Sequence, residues 1–452
     1  MDMKPIVGVG LGPAPEMLAS YAALNDTLPV SKSVLIAAMH TSWAIGSWSW
    51  TKLAVSFLLV WPRIVAGLRY RRSQTRKKRF NFPTRESFAK MTVEDAQAIQ
   101  LSLLESEVPI LFLTSIKLAV FAVNGIPSIS GLLVKTNKLP SQRVHHRFSM
   151  TSAMIAEFLA APPSHERSKD AISRMNNIHQ TYQRAGKISN DDMLYTLGLF
   201  VYLPIRWVEK YDWRELNDME KCALGTFWKN IGDSMEIDYS QLPSSKIGWK
   251  DGLHFVKELT QWGDNYEATH MVPHINNQRV GMAALDIMLW TTPNFLKPFF
   301  SNVVFSLLDD RMLDALLLPK PHKLYGIITK AILYARKRFV RYFMPPRPHF
   351  LRFKPLYGPD KNGRFYLQTY ESKPYYVKPT FWNLWLAPGA IVRRILNLPL
   401  PGSNREEFHS NGYQMKELGP AWIVNKKGHE DDVRAARERM NKTYISSGCP
   451  FA

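Results

Sequence analysis

The sequence predicts an all-α protein with an N-terminal membrane anchor and an irregular C-terminal extension. Apolar residues recur at helical spacing in successive stretches from about residue 84 to residue 343. Alternation typical of strands is scarce before residue 345, after which proline, glycine and aromatic residues dominate. An apolar segment near the N-terminus is followed at once by a run of cationic residues, which is typical of a membrane anchor.

The anchor is predicted at residues 34–62, because this segment has a single charged residue, Lys52. Its three tryptophans (Trp43, Trp48, Trp50) are typical of a membrane interface. We expect a single transmembrane span here; an interfacial helix and a buried core helix are the alternatives. Residues 1–33 are expected to be loose.

Residues 63–85 form a basic juxtamembrane segment that includes Arg69, Arg71, Arg72, Arg76, Lys77, Lys78, Arg79 and Arg85. The formal net charge of +20 indicates an anionic partner, nucleic acid or a lipid surface, and the position of this basic segment favours membrane lipid. The sequence has no zinc-finger spacing and no RNA-recognition signature, so no nucleic-acid partner is expected. Positive-inside bias places the C-terminal bulk in the cytoplasm. The two cysteines, Cys222 and Cys449, argue against a disulfide-stapled secreted domain.

Helical periodicity begins after Thr84, with a second N-cap candidate at Thr92. The stretch from Val108 to Val134 is apolar almost all round and is interpreted as a central buried helix pair. Further helices are predicted at about 146–161, 167–185, 190–210, 217–233, 250–263, 276–289, 298–316 and 323–343, with a last short helix at 427–442.

His179 is the histidine whose position indicates chemistry. Ile172, Met175, His179 and Tyr182 share one face of a predicted helix, so an imidazole lies within an apolar stripe. A core histidine bonded to a carbonyl group explains this pattern; so does an axial ligand of haem iron. The residues alone leave both interpretations open.

The preceding predicted helix places Arg147 and Thr151 on one face with Met154 and Phe158. A guanidinium and a hydroxyl on an apolar face need polar partners, which a bound anion, a propionate or an oxygen ligand could supply. The alternative is that Arg147 caps the end of the chain segment and faces solvent. The sequence contains no HEXXH or GxSxG motif, which argues against the corresponding hydrolases.

Four ordered motifs resemble one known family, that of the latex-clearing rubber oxygenases and the fungal ER-bound oxygenases. They are Arg147-x-x-x-Thr151, then Ile178-His179, then DDMLYTLGLF, then Glu220-x-x-Ala223 continuing to Phe227-Trp228 and Ile231-Gly232. The resemblance extends over about residues 90–348, and the anchor with its basic flank is similar to the fungal branch.

The resemblance implies a globin-like helical bundle around haem b, with His179 as the proximal ligand of the iron. It implies that Arg147 and Thr151 are distal catalytic residues that also contact the cofactor. In the rubber-cleaving branch a lysine just before that threonine can occupy the sixth iron position; here the residue is Met150, a cofactor-binding candidate. The family's carboxylate base has no counterpart in Ser128–Val134 (SISGLLV).

The hypothesis is therefore a haem b-dependent oxygenase at residues 86–348, single-pass in the endoplasmic reticulum membrane, with residues 349–452 as the extension. Its partners are O₂ and a lipophilic prenyl or polyene chain, whose C=C bond it cleaves to carbonyl products. Hydroxylation or another haem oxidation is an alternative. A haem-free membrane-anchored scaffold is the other; it predicts a carbonyl partner for His179 and no adjoining cavity. The oxygenase hypothesis predicts a cavity between helices 146–161 and 167–185.

Overall fold

The computed structural model describes residues 50–136, 141–368, 370, 372–445 and 448–451. Helices dominate these residues, which confirms the all-α prediction. The two described strands, β1 (Leu356–Tyr357) and β2 (Tyr366–Leu367), pair antiparallel within the predicted C-terminal extension.

The described helices are α1 Trp50–Phe80, α2 Val93–Ser102, α3 Pro109–Ala122, α4 Pro127–Thr136, α5 Ser141–Ala160, α6 Glu166–Arg184, α7 Asn190–Tyr211, α8 Asp218–Ser234, α9 Gly252–His270, α10 Ile275–Met288, α11 Lys297–Phe305, α12 Asp310–Ala315, α13 Lys323–Tyr342, α14 Pro388–Ile395, α15 Arg405–Phe408, α16 Ala421–Val424 and α17 His429–Met440. Single 3₁₀ or π turns occur at Glu86–Lys90, Leu103–Glu107, Val123–Gly125, Asn294–Leu296, His349–Leu351, Trp382–Leu386 and Met415–Glu417.

The chain forms two units, residues 1–63 and 64–452. In the described part of the first unit, the start of α1 exposes Val55, Phe57, Leu58, Leu59 and Val60. Most of the predicted anchor at 34–62 and all of residues 1–33 lie outside the described residues. No single described helix meets the length and hydropathy required to cross a bilayer; Val93–Glu107 and Pro109–Gly125 do so only together, with a 114° bend between them.

Polar side chains define where the helices of the second unit begin. Thr92 and Asp95 form a reciprocal capping box at α2, as Asn217 and Glu220 do at α8. The Thr92 N-cap prediction is thereby confirmed. The predicted helix at 298–316 is divided into α11 and α12, because Asp309 caps a new helix by accepting a bond from the amide of Met312.

The core of the second unit forms where α3 packs against α7 and where α8 packs against α2 and α9. The predicted helix pair at Val108–Val134 corresponds to α3 and α4, and α3 buries Leu111, Phe112, Leu118 and Phe121. Burial of such side chains is the main favourable contribution to folding. This packing fixes α3 and α7 as walls for the site described below.

Part of the basic segment at 63–85 turns inward. The guanidinium of Arg69 donates to the carbonyl of Met344 at 2.7 Å and lies 5.2 Å from the Trp213 ring centroid. Arg76 is buried between Glu107 and Glu220. Arg71, Lys77, Lys78 and Arg79 remain exposed. Only part of the positive charge of this segment is therefore available to a lipid surface, because its two buried arginines bind groups of the protein itself.

Candidate functional site

A large cavity lies beside α5 and α6 in the second unit. Its volume is about 1890 Å³, roughly twice that of the largest ordinary small-molecule pockets, which reach about 1,000 Å³. Residues from both predicted helices line it, as the oxygenase hypothesis required. Its apolar lining includes Leu113, Ile116, Val120, Met154, Ile155, Phe158, Met175, Ile178, Leu197 and Phe200.

Helix α5 lines the cavity with one face and binds the C-terminal part of the chain with a neighbouring face. One face borders the cavity with Arg147, Thr151, Met154 and Phe158, at spacings of three and four residues. The other face binds the C-terminal part of the chain. Its hydrogen bonds join His146 to the Tyr376 hydroxyl (2.9 Å), Ser149 to Ser372 (2.7 Å), Met150 to Gly419 (3.1 Å) and Glu157 to Tyr413 (2.6 Å).

As a result, residues beyond 348 form a wall of the cavity. Phe353, Pro355, Leu367, Tyr370 and Tyr376 line it, and so does the segment from Gly419 to Trp422. The separation of 86–348 from 349–452 remains a prediction, but the two ranges share this cavity.

The sequence of α6 explains how His179 comes to face the cavity. His165 caps the helix, because its Nδ1 accepts a hydrogen bond from the amide of Arg167 at 3.1 Å. Gly186, at φ 64°, ends it, with its amide bonded to the carbonyl of Gln183. Between these ends Ile172 is buried in the core, and His179 lies two turns further along the same face.

The opposite face of α6 is also covered. Ser173 is fully buried and its hydroxyl lies 3.8 Å from the sulfur of Met440 on α17. Arg174 is buried and bonds to Glu430 through both terminal nitrogens. Helix α6 is therefore clamped on one side by α17 while its His179 side borders the cavity.

The His179 side chain is partly buried, and its enclosed Nδ1 has no hydrogen-bond partner among the described residues. Burial, together with the positive charge of Arg147, lowers the pKa of His179 to about 4. At neutral pH the ring is therefore uncharged and can donate a lone pair. A neutral imidazole on an apolar wall is what an axial haem ligand requires. The scaffold alternative predicted a carbonyl partner for His179 and no adjoining cavity. Among the described residues the His179 Nδ1 has no partner, and the ring borders a cavity.

Arg147 lines the cavity near His179, so the solvent-facing alternative is wrong. Its guanidinium donates to the Thr136 hydroxyl at 3.1 Å. Burial lowers the pKa of Arg147, with an opposing effect from the neighbouring Tyr182. Thr151 lies one turn along α5 and also lines the cavity. The predicted site residues Arg147, Thr151 and His179 therefore come together.

Met150 also borders the cavity, but its sulfur accepts a hydrogen bond from the amide of Gly419 at 3.1 Å. The side chain is buried among Tyr376, Val377 and other residues of the C-terminal region. This bond engages one of the two lone pairs of the thioether sulfur and holds the side chain against the C-terminal region. Met150 therefore serves first as a contact between α5 and the C-terminal region.

Two residues of the cavity wall, Lys117 and Tyr376, were not predicted from the sequence. Lys117 lines the cavity from within apolar α3, and burial lowers its pKa to about 8. A lone lysine within an apolar stretch is the signal that the sequence offers for it. Tyr376 lies at φ 62°, a conformation rare for a bulky residue, beside His146 and His409. Nothing in its irregular sequence context predicts this cluster.

Among the described ranges, no group of three or more His, Cys, Asp or Glu side chains is suited to hold a metal ion directly. A porphyrin-bound iron has a different requirement, since the macrocycle supplies most ligands and the protein supplies an axial imidazole. The residues present fit that requirement: an uncharged histidine, an arginine for an anionic group, and apolar walls.

The chain is similar over most of its length to named fungal proteins. It is 37% identical over 406 residues to ER-bound oxygenase mpaB' of Penicillium brevicompactum, covering 89% of this chain and 95% of that protein. It is 37% identical over 355 residues to ER-bound oxygenase mpaB of Penicillium brevicompactum, covering 78% and 84%. Against ER-bound oxygenase mpaB of Penicillium roqueforti, strain FM164, the identity is 38% over 269 residues, covering 59% and 90%. No protein-family model matches the sequence.

These relatives define the class of protein: the chain is an enzyme, an oxidoreductase of the oxygenase type. Identity of this level over nearly the whole length of a relative also defines its family. The chain belongs to the ER-bound oxygenase mpaB family.

Proposed function

We propose that this oxygenase depends on haem b and that His179 is the proximal ligand of its iron. The observation that carries the proposal is the uncharged imidazole of His179, whose ring borders an apolar cavity of about 1890 Å³. Arg147, at the same wall, supplies a positive charge for a propionate or another anionic group.

Haem bound here would supply the binding and activation of O₂. The chain's own residues have separate tasks. His179 would hold the group, while Arg147 and Thr151 would orient oxygen through hydrogen bonds from the guanidinium and the hydroxyl. The apolar side chains of α3, α5 and α7 would hold a lipophilic substrate and keep water away from it.

We propose oxidative cleavage of a C=C bond in a prenyl or polyene chain. One O₂ molecule supplies both oxygen atoms, the C=C bond breaks, and each carbon becomes a carbonyl, so the atoms balance without a further reductant. The relatives' names support the oxygenase part of this proposal, and the apolar cavity supports the substrate class.

We also propose that the enzyme is bound to the endoplasmic reticulum membrane, as its relatives' names say of them. The exposed apolar residues at the start of α1 support an anchor ending there. A single pass with the catalytic bulk facing the cytosol follows from the basic residues after it.

The experiment that tests the cofactor proposal is absorbance of purified protein carrying His179→Ala. The unaltered protein is expected to have a Soret band, and the variant is expected to lose it because the substitution removes the proposed axial ligand. Helical circular dichroism should persist in the variant. Product analysis by mass spectrometry, with prenylated compounds under labelled O₂, then tests the cleavage.

The matched control is His322→Ala. His322 is exposed and caps α13 by accepting a bond from the Leu324 amide at 3.3 Å, away from the cavity lining. This variant should retain the band. An unaltered protein without a Soret band after haem supplementation, or an undiminished band in His179→Ala, would contradict the proposed ligand.

A separate prediction concerns Met150. Met150→Leu is expected to leave the positions of the Soret and visible bands unchanged, because the Met150 sulfur is held by the Gly419 amide. Leucine nearly preserves the buried volume, so a destabilisation below about 1.5 kcal/mol is expected. A shift of the bands on substitution would instead identify Met150 as the sixth ligand.

A further inference from the structure

Residues 381–395 carry an unusual concentration of exposed apolar side chains. Phe381, Trp382, Trp385 and Leu386 are all more than half exposed, and the short helix α14 follows them. Soluble surfaces seldom gather large apolar side chains in one place, and a contiguous patch indicates a binding surface. We refer to residues 381–395 as the aromatic segment.

Helix α14 within this segment exposes its apolar face to the outside of the protein. Its inward face carries the buried Ala390 and the half-buried Arg393, whose guanidinium lies 4.2 Å from the ring centroid of Tyr370. Its outward face carries Ile391, Val392 and Ile395, the last 78% exposed. A helix on a protein core normally buries its apolar stripe. Here the apolar stripe faces outward, which suits an apolar medium outside.

The polar groups of the segment match the surface of an anionic membrane. Arg394 lies 3.7 Å from the ring centroid of Trp385, which pairs a cation with an interfacial aromatic residue. The aromatic segment has no acidic residue and two basic ones, Arg393 and Arg394. Apolar and aromatic side chains with cations alone are typical of elements that lie in the lipid interface.

The segment also adjoins the cavity. Arg393 stacks on Tyr370, which lines the cavity, and on Trp290, two residues beyond the lining residue Met288. A surface that touched lipid here would lie next to the wall of the substrate chamber. This proximity matters because a lipophilic substrate is concentrated in the bilayer.

We propose that the aromatic segment docks on an anionic phospholipid surface, as a membrane contact separate from the N-terminal segment. The occupant is a bilayer with acidic headgroups: Trp382, Trp385, Ile391 and Ile395 enter the interface and Arg394 stays at headgroup level. The inference rests on the proposed membrane location but is independent of haem. A second copy of the chain on the same surface is the competing outcome.

The test uses the full chain in phosphatidylcholine vesicles with and without phosphatidylserine. In a Cys449→Ser background, with buried Cys222 left in place, Ile395→Cys carries a nitroxide spin label. On vesicles containing phosphatidylserine, collisions of the label with O₂ are expected to rise and those with a water-soluble nickel chelate to fall. The control label is Ile247→Cys, 86% exposed in the loop before α9, and it should stay accessible to nickel.

A label at position 395 that remains as accessible to nickel as the one at 247 on both vesicles overturns the proposal. Protection from nickel without any vesicle, together with dipolar broadening between labels, overturns it in favour of a second copy. An Ile391→Asp/Ile395→Asp variant should abolish the protection of a label at position 385, introduced as Trp385→Cys. Because the Soret band is recorded on the same samples, failure of the haem proposal is seen separately.

Discussion

Glu220→Ala is expected to lower the free energy of unfolding by about 3–5 kcal/mol, the usual cost of removing one partner from a buried ion pair. Glu220 is 1% exposed and accepts hydrogen bonds from both terminal nitrogens of Arg214, each at 2.7 Å. Arg76 lies 3.3 Å away. Without this carboxylate, two buried guanidinium groups would share Glu107 alone. Denaturant unfolding followed by circular dichroism measures the effect.

The control for this prediction is Glu438→Ala on α17, an exposed carboxylate, which should change stability by no more than about 0.5 kcal/mol. The Arg214→Ala/Glu220→Ala double variant should cost less than the sum of the two single variants, because the residues share one network. Equal destabilisation by Glu220→Ala and Glu438→Ala would refute the importance of the cluster.

Gly225→Ala is expected to destabilise the protein by more than about 4 kcal/mol, in the range of severe core variants. A Cβ atom at Gly225 would lie 2.2 Å from the carbonyl oxygen of Gly252, where α8 crosses α9. A Cβ atom at Gly252 would likewise lie 2.3 Å from the carbonyl of Cys222. Neither backbone can move unless the helices separate, since both contacts are with main-chain atoms. Thermal unfolding and soluble yield measure the loss.

Gly326→Ala is the matched substitution. A Cβ atom at Gly326 in α13 meets no other atom within 4 Å. Alanine favours helix over glycine by about 0.5–1 kcal/mol, so this variant should be slightly more stable than the unaltered chain. If the two variants changed the midpoint of unfolding equally, close approach of α8 and α9 would not explain the glycines.

Local signals in the sequence account for much of the helical framework. The capping residue Thr92 and the apolar spacing around Ile172 and His179 depend on neighbours within a few residues, and the structure agrees with both. Arg76 and Glu220 are 144 positions apart in the sequence, so no local pattern predicts that they form an ion pair. An arginine within a basic run predicts a charged surface until its distant partner is known.

The site was predictable only in part, for a related reason. Arg147, Thr151 and His179 lie on apolar helical faces, where a polar group stands out in the sequence. Tyr376 and Gly419 belong to irregular segments without periodicity, so the sequence does not indicate which way the Tyr376 side chain and the Gly419 amide face. Only tertiary packing turns them toward α5, which is why the C-terminal wall of the cavity went unpredicted.

The second face of α5 has a consequence for any shortened form of this enzyme. Met150 and Glu157 bind Gly419 and Tyr413 across that face, so residues after Pro348 supply one wall of the cavity. A chain that ends at Pro348 would retain His179 and the cavity walls formed by the helices before it. Without the C-terminal wall, the cavity would be open to water. A lipophilic substrate would then be exposed to water, and the shortened protein is expected to lose oxygenase activity although Arg147, Thr151 and His179 all remain.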